Sequence, residues 1–306
     1  MSRSNAKRLS LALAGACLAA APAAAQTKQG YSIFQGTMAD MTWPEVQRAA
    51  ESGAVALWGL AVIEEHGPAL PLATDTYAVT ATAGEVQKQL AARNIPSVIV
   101  PAFYWGVNIA TGGFPGTINV RPEIMAELMV DVVKSLKNSG FKRIYCLSGH
   151  GDTEHNRAIL EGVKRAAAAS GIDVFMVTQR QMVQRIGADA NDPRLVLTAG
   201  DPPAPPPRFI DGHSGAGETS TMLGLFPDVV RRAIVPTLKP TNLGMADLAK
   251  WRTSAEQGRA ITPLGYFGQP AEASAADGKA KLAATAVGVA EAIRNNIQGR
   301  RPGTSD

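Results

Sequence analysis

The sequence predicts an α/β fold, a three-layer sandwich in which a mostly parallel sheet is covered by helices on both faces. Apolar runs at residues 55–63 and 97–100 are nearly continuous, which is typical of strands buried on both sides. The segment after Pro122 repeats its apolar residues every four positions, as a helix does. Strands that alternate with helices in this way favour parallel pairing, because each helix carries the chain back to the start of the next strand.

The remaining elements follow from the same patterns. Pro122 is suited to the first turn of a helix and Gly140 to its end. The proline-rich run at 201–207 excludes a helix or a central strand, and we expect a surface loop bordering the functional site rather than a linker. The further predicted strands are 143–147 and 172–178, and the further predicted helices are 77–92, 157–169 and 278–297.

Residues 1–25 are predicted to be a secretory signal peptide. A basic start precedes an apolar run at 9–18, and three alanines precede Gln26. The apolar run is shorter than the ~20 residues that span a bilayer, and no later stretch reaches that length. We therefore expect cleavage between Ala25 and Gln26, and a single mature domain, 26–306, located in the periplasm or outside the cell.

The net charge and the two cysteines limit the binding partners and the cysteine chemistry that the sequence predicts. Loss of Arg3, Lys7 and Arg8 lowers the formal charge from +4 to +1, so nothing remains to indicate nucleic-acid binding. Cys17 lies in the signal segment, where lipid attachment is a less favoured alternative. Cys146 alone remains in the mature chain and lies in an apolar strand, which indicates packing rather than a disulfide or a nucleophile.

In open parallel sheets, ligands bind outside the carboxyl ends of the strands. Glu64 and His66 follow the first predicted strand, and the turn after them can return Asp75 towards both. His150 and Asp152 follow a later strand on a glycine-framed turn. Carboxylates and imidazoles are ligands for zinc, manganese or iron, so these groups predict a metal site.

Two further groups of residues pair an imidazole with a carboxylate. Glu154 and His155 form a rival pair, but we place them in the first turn of the following helix. His213 and Glu218 lie in a glycine-rich segment after Asp211, with side chains suited to proton transfer beside a metal centre. A Gly-x-Ser-x-Gly elbow, a dinucleotide fingerprint and a phosphate-binding loop are absent from the sequence.

Four blocks of this sequence resemble the creatininase family of metal-dependent amidohydrolases. They are EEHGPALPLATD (64–75), GGFPGT (112–117), SGHGD (148–152) and DGHSGAGETS (211–220), in the family's order and at its separations. The resemblance extends over about residues 41–297. It implies a creatininase-like α/β sandwich, two divalent metal ions (zinc, manganese or iron) and a homo-oligomer, often a hexamer in that family.

The resemblance also implies a role for individual residues. Glu64 and His150 are expected to bind one metal ion, His66 and Asp152 the other, and Asp75 to bridge them.

His213 matches the position of proton transfer and substrate contact, and Glu218 is expected to orient His213 or to complete a metal shell. Asp211, Gly151 and Thr111 are the candidate substrate-binding residues.

This sequence departs from creatinine-hydrolysing members at several positions. Asp152 replaces a longer glutamate, and Gly151 replaces a tyrosine that those members place against the substrate. No tryptophan lies between Trp105 and Trp251, so the aromatic wall expected around creatinine is missing. These differences favour a substrate other than creatinine.

The expected activity is hydrolysis of a C–N bond in a small amide by water activated at two metal ions, with cyclic amides as the leading class. One alternative is a periplasmic metallopeptidase that acts on short peptides. Another is a metal- or ligand-binding protein of the same fold without turnover. A membrane span and a nucleic-acid partner are not expected.

Overall fold

The core of the protein is a parallel sheet of five strands, seen in a computed structural model that describes residues 32–199 and 208–300. The strands are β1 (Val55–Leu60), β2 (Ser97–Phe103), β3 (Arg143–Ser148), β4 (Asp173–Thr178) and β5 (Leu195–Leu197). Their spatial order is β2-β1-β3-β4-β5. The order in which strands are added therefore reverses between β1 and β3, and a ligand crevice is expected at that switch point.

Helices cover both faces of the sheet. The α-helices of the described residues are α1 (Trp43–Glu51), α2 (Thr74–Ala91), α3 (Pro122–Asn138), α4 (Thr153–Ser170), α5 (Arg180–Ile186), α6 (Ala216–Leu225), α7 (Met245–Trp251), α8 (Ala255–Ile261) and α9 (Ala275–Ile297). Alternate residues of β1 point to opposite faces: Trp58 packs in a cluster with α3 and α4, and Leu57 packs in a cluster with α2 and α9. The predicted three-layer α/β sandwich is confirmed.

Several helices begin earlier than the apolar pattern predicts because polar residues cap them. Asp152 accepts hydrogen bonds from the first turn of α4, so this helix starts at Thr153 instead of 157. Ser274 caps α9 in the same way. Glu154 and His155 lie in the first turn of α4, as predicted.

The register of the sheet brings two loops to the same level. Leu60 at the end of β1 pairs with Ser148 at the end of β3. The chain after β1 stays buried, and the Ala61 N–H donates to the Phe103 carbonyl. Cys146 is fully buried in β3, and burial raises the pKa of its thiol to about 12, consistent with a packing role.

The described residues from Phe34 onward form one compact unit. The predicted signal peptide, with Cys17, and the proline-rich loop at 201–207 lie outside the described residues. Export to the periplasm or beyond the cell stays a prediction. Within the described ranges, no helix has the length and apolar character needed to cross a membrane.

Candidate metal centre

The switch point of the sheet holds a cluster of carboxylates and imidazoles. Glu64 and His66 follow β1, His150 follows β3, and Asp75 lies in the first turn of α2. Glu64, His66 and Asp75 are buried, and the His150 side chain is only 8% exposed. Charged groups are seldom buried unless they pair or bind a metal ion, so this cluster requires a physical explanation.

One set of donor atoms comes from Glu64, Asp75 and His150. The Nδ1 atom of His150 lies 3.0 Å from Oε1 of Glu64 and 2.8 Å from Oδ2 of Asp75. All three donor atoms lie within 4.8 Å of one another. A carboxylate, a second carboxylate and an imidazole form a ligand set for a divalent transition metal ion.

A second set comes from His66, Asp75 and Glu218. The Nε2 atom of His66 lies 3.4 Å from Oδ1 of Asp75 and 3.7 Å from Oε2 of Glu218. Asp75 therefore offers one oxygen to each set. A third set, which shares members with both, consists of Glu64, His66 and His213.

The donor chemistry of the cluster fits metal ions. The Nδ1 atom of His66 lies 3.1 Å from the carbonyl oxygen of Glu64, which only accepts hydrogen bonds, so Nδ1 carries the proton. The Nε2 lone pair is then directed at the cluster, the arrangement usual for a metal-binding histidine. His66 Nε2 is buried and makes no hydrogen bond to the described residues, and Asp75 Oδ2, also buried, has a close contact only with His150 Nδ1 at 2.8 Å among those residues. A cation would satisfy both atoms.

The pKa values of the buried imidazoles and carboxylates show which protons a metal ion would displace. Burial alone would lower the pKa of His66, but the Asp75 carboxylate raises it above its usual value. Burial also opposes the charge on His150, yet Glu64 and Asp75 raise the pKa of His150 well above its usual range. The two imidazoles in turn hold the pKa of Asp75 far below its usual range, although burial opposes this. Protonated imidazoles thus balance the charge of the ionised carboxylates, and a metal ion must displace those protons to bind.

Several uncharged groups fix the ligands in place. The Thr111 hydroxyl donates a hydrogen bond to Oε2 of Glu64 and so orients this carboxylate, while its predicted contact with the substrate stays a prediction. Asn156 donates to the carbonyl oxygens of His150 and Asp152 and thereby holds the loop after β3. A side chain at Gly149 would place its Cβ 2.8 Å from the Asp75 carbonyl oxygen, so only glycine permits this close approach.

Asp152 makes hydrogen bonds that the sequence analysis did not predict. Its Oδ1 accepts hydrogen bonds from the backbone N–H groups of Glu154 and His155, and its Oδ2 accepts one from Ile109. It belongs to none of the three donor sets. Asp152 caps α4 because the helix starts directly after it, and its role as a metal ligand stays a prediction.

His213 lies beside the cluster on a loop that pairs with Phe267. Its Nε2 lies 2.8 Å from the carbonyl oxygen of Glu65, so this nitrogen donates. Its ring is tilted against that of His66 at a centroid separation of 4.5 Å. Burial opposes protonation of His213, but Glu64 and the neighbouring carboxylates raise its pKa to about 10.

Ser214 connects this loop to both halves of the cluster, and sequence reasoning did not identify it. Its hydroxyl donates to the His66 carbonyl oxygen at 2.6 Å, and its N–H donates to the Glu218 carboxylate. Its φ angle of +48° is unusual for a residue with a side chain. Such strained residues concentrate at functional sites.

A cavity of about 190 Å³ opens beside the cluster. The predicted residues His213, Glu218, Asp211, Gly151 and Thr111 all line it. Asp211 also accepts a hydrogen bond from the Gly217 N–H, which holds the start of α6.

The cavity also has walls that the sequence patterns did not indicate. Trp251, at the end of α7, lines it and lies 5.4 Å from the His213 ring. The sequence predicts no aromatic wall of the kind that surrounds creatinine, and the described lining holds a single large aromatic side chain, Trp251. Arg185 and Arg252 line the same cavity.

Known proteins resemble this chain over most of its length. A family model described as creatininase, creatinine amidohydrolase, matches residues 39–293. The mycofactocin precursor peptide peptidase of Mycolicibacterium smegmatis is 30% identical over 234 residues, which are 76% of this chain and 81% of that protein. The creatinine amidohydrolase of Pseudomonas putida is 26% identical over 278 residues, 87% of this chain and 98% of that protein. A solved manganese creatininase has a TM-score of 0.64 at 21% identity, covering 85% of this chain and 98% of its own.

Proposed function

This chain belongs to the creatininase family and is a hydrolase of carbon–nitrogen bonds, and from that premise we propose that it cleaves the amide bond of a small molecule with two divalent cations. The observation that carries the proposal is the position of Asp75, whose two carboxylate oxygens belong to two different donor sets. A carboxylate shared in this way is suited to bridge two ions.

The two sets divide the ligands between the cations. Glu64, Asp75 and His150 would hold one ion, and His66, Asp75 and Glu218 the other. Zinc, manganese and iron all accept this mixture of imidazole and carboxylate. When bound, such ions supply a water of lowered pKa and polarise the substrate carbonyl.

His213 is the proton donor of this proposal. Its Nε2–H is held by the Glu65 carbonyl, so the proton that can move is on Nδ1, which lies 3.9 Å from Oε1 of Glu64. A pKa raised to about 10 keeps that proton in place at neutral pH. Protonation of the departing nitrogen by His213 follows from this placement. Trp251 covers the ring and limits the access of water.

Cyclic amides remain the leading substrate class, and short peptides are the second candidate. Two observations favour peptides: the 30% identity to a peptide peptidase, and the open space around Gly151, where a Cβ would have no neighbour within 4 Å. A peptide is larger than a cyclic amide, and the open space at Gly151 would accommodate it. The proton-donor position of His213 argues against a binding protein without turnover.

Elemental analysis of the purified protein tests the metal part of the proposal. We expect about two transition-metal ions per chain in the wild type and a marked loss in Asp75→Asn, whereas Asp131→Asn, on an exposed position of α3, should keep both ions. The same preparations are then assayed with creatinine, other cyclic amides, dipeptides and tripeptides. Full metal content in Asp75→Asn, or undiminished hydrolysis by a metal-free wild type, would contradict the proposal.

A further inference from the structure

Two arginines enter the cavity from short helices. Arg185 lies in the last turn of α5, and Arg252 follows the last residue of α7. Both are half-buried, and both line the cavity that also contains Glu64 and His150. A small substrate at the cluster would therefore lie within reach of two guanidinium groups.

Neither arginine has an anionic partner in the described part of the chain. No carboxylate among these residues lies within 4.0 Å of either guanidinium, whereas Arg165 pairs with Glu127 and Glu161. The Nε of Arg185 is buried without a hydrogen bond, and its Nη2 contacts only the Sδ of Met182 at 3.1 Å. Thioether sulfur is a weak acceptor, so most of the donor capacity of Arg185 is unused.

The surrounding charges do not supply the missing partner. Asp152 is near enough to influence both arginines electrostatically, but its oxygens accept backbone N–H groups of α4 and of Ile109. Burial lowers the pKa of Arg185, and the charge of Arg252 lowers it further. Two like charges held together in a partly buried site are unfavourable unless an anion joins them.

We propose that Arg185 and Arg252 bind a carboxylate group of the substrate and hold its scissile amide at the metal cluster. The proposal rests on the proposed function and narrows it to amides that carry a free carboxylate close to the bond that is cleaved. Guanidinium groups suit this task because their planar array of donors matches a carboxylate. Peptides with a free C-terminus and N-acyl amino acids both present this group.

A purely structural role is the competing explanation. Arginines near the end of a helix can stabilise its last carbonyl groups. In that case their replacement would lower the melting temperature and change the kinetics of charged and neutral substrates equally. The two explanations therefore differ in how the effect depends on the charge of the substrate.

Matched pairs of compounds test the proposal on the metal-loaded enzyme. We would compare alanyl-alanine with alanyl-alaninamide, and N-acetylglycine with N-acetylglycinamide, so that both sources of the carboxylate are covered. In the wild type, the free acid should have a kcat/KM about ten- to a hundredfold higher than the amide. In Arg185→Gln and Arg252→Gln this preference should shrink towards one, chiefly through a higher KM for the acid. Arg180→Gln and Lys250→Gln, at exposed positions of the same two helices, should keep it.

A binding measurement separates this proposal from the proposed function. Calorimetry of N-acetylglycine and its amide with metal-loaded wild type should show tighter binding of the acid, and the Arg185→Gln/Arg252→Gln double variant should lose that difference. Failure to hydrolyse any of these pairs, and also creatinine and the other cyclic amides, would contradict the proposed function, while the binding result would still decide the role of the arginines. Equal binding of acid and amide by the wild type, or an acid preference retained in the double variant, would overturn the proposal.

Discussion

The Nδ1 atom of His150 lies 2.8 Å from Oδ2 of Asp75, although one residue follows β3 and the other begins α2. The approach is possible because Gly149 lets the loop after β3 lie directly against the first turn of α2. The cluster thus depends on backbone contact as well as on its charged side chains.

A methyl group at position 149 should separate these two ligands. In Gly149→Ala the new Cβ would meet the Asp75 carbonyl oxygen and the Val79 Cβ, both at 2.8 Å, so the backbone must move. We expect a loss of about 1–3 kcal/mol in the free energy of unfolding and reduced metal content. Gly151→Ala is the matched control, because its Cβ would have open space. Denaturant titration and elemental analysis measure both effects, and equal behaviour of the two variants would refute this role of Gly149.

Replacement of His213 should separate proton transfer from metal binding. In His213→Ala we expect kcat to fall by ~10²–10⁴-fold while the metal content stays at the wild-type level. The measurement is steady-state kinetics on a hydrolysed substrate, together with elemental analysis of the same sample. A parallel loss of metal would instead show that His213 acts through the third donor set, with Glu64 and His66.

Thr111 should affect metal affinity through Glu64. The variant Thr111→Val removes the hydroxyl that donates to Glu64 Oε2 and leaves a buried carboxylate oxygen without that partner. We expect metal affinity to fall about 10–100-fold, the usual result when a ligand loses its supporting hydrogen bond. Thr111→Ser keeps the hydroxyl and should restore most of the affinity. Competition with a metal-binding dye measures it, and unchanged affinity in Thr111→Val would exclude this role.

His155 should make the protein less stable in acid. It is fully buried, and burial together with the charge of His150 lowers its pKa to about 3. In the unfolded chain the pKa of His155 is near 6.5. Between pH ~6.5 and ~3, His155 is therefore protonated in the unfolded chain but neutral in the folded protein. The stability contributed by neutral His155 is thus complete above pH ~6.5 and is lost as the pH falls, with a slope of about 1.4 kcal/mol per pH unit.

Comparison with His155→Gln isolates this contribution. The variant should show a shallower loss of unfolding free energy across the same pH range. Both proteins are measured without metal ions, because acid also releases the metal and would obscure the slope. Identical slopes for the two proteins would show that His155 does not titrate in this way.

Much of the site follows from the pattern of the chain. Glu64, His66 and His150 were predicted to converge because they follow buried runs, and neighbouring parallel strands end at one edge of a sheet. Asp75 was predicted through the proline-containing turn that precedes it. These inferences need only the strand positions, which continuous apolar runs indicate well.

The rest depends on geometry that no local pattern encodes. Asp152 caps α4, a role that the sequence did not indicate because the predicted start of that helix was residue 157. Arg185 and Trp251 lie in helices of seven residues, too short to show a periodicity, and Arg252 directly follows one of these helices. Their position around the cavity is determined by tertiary packing and not by a local sequence pattern.

The members of the two donor sets are completed at different points of chain synthesis. Glu64, Asp75 and His150 are all present once the ribosome has passed β3, whereas the other set waits for Glu218 at the start of α6. The second set therefore depends on a segment that is made about 70 residues after His150, whereas the first set needs no residue beyond the loop after β3.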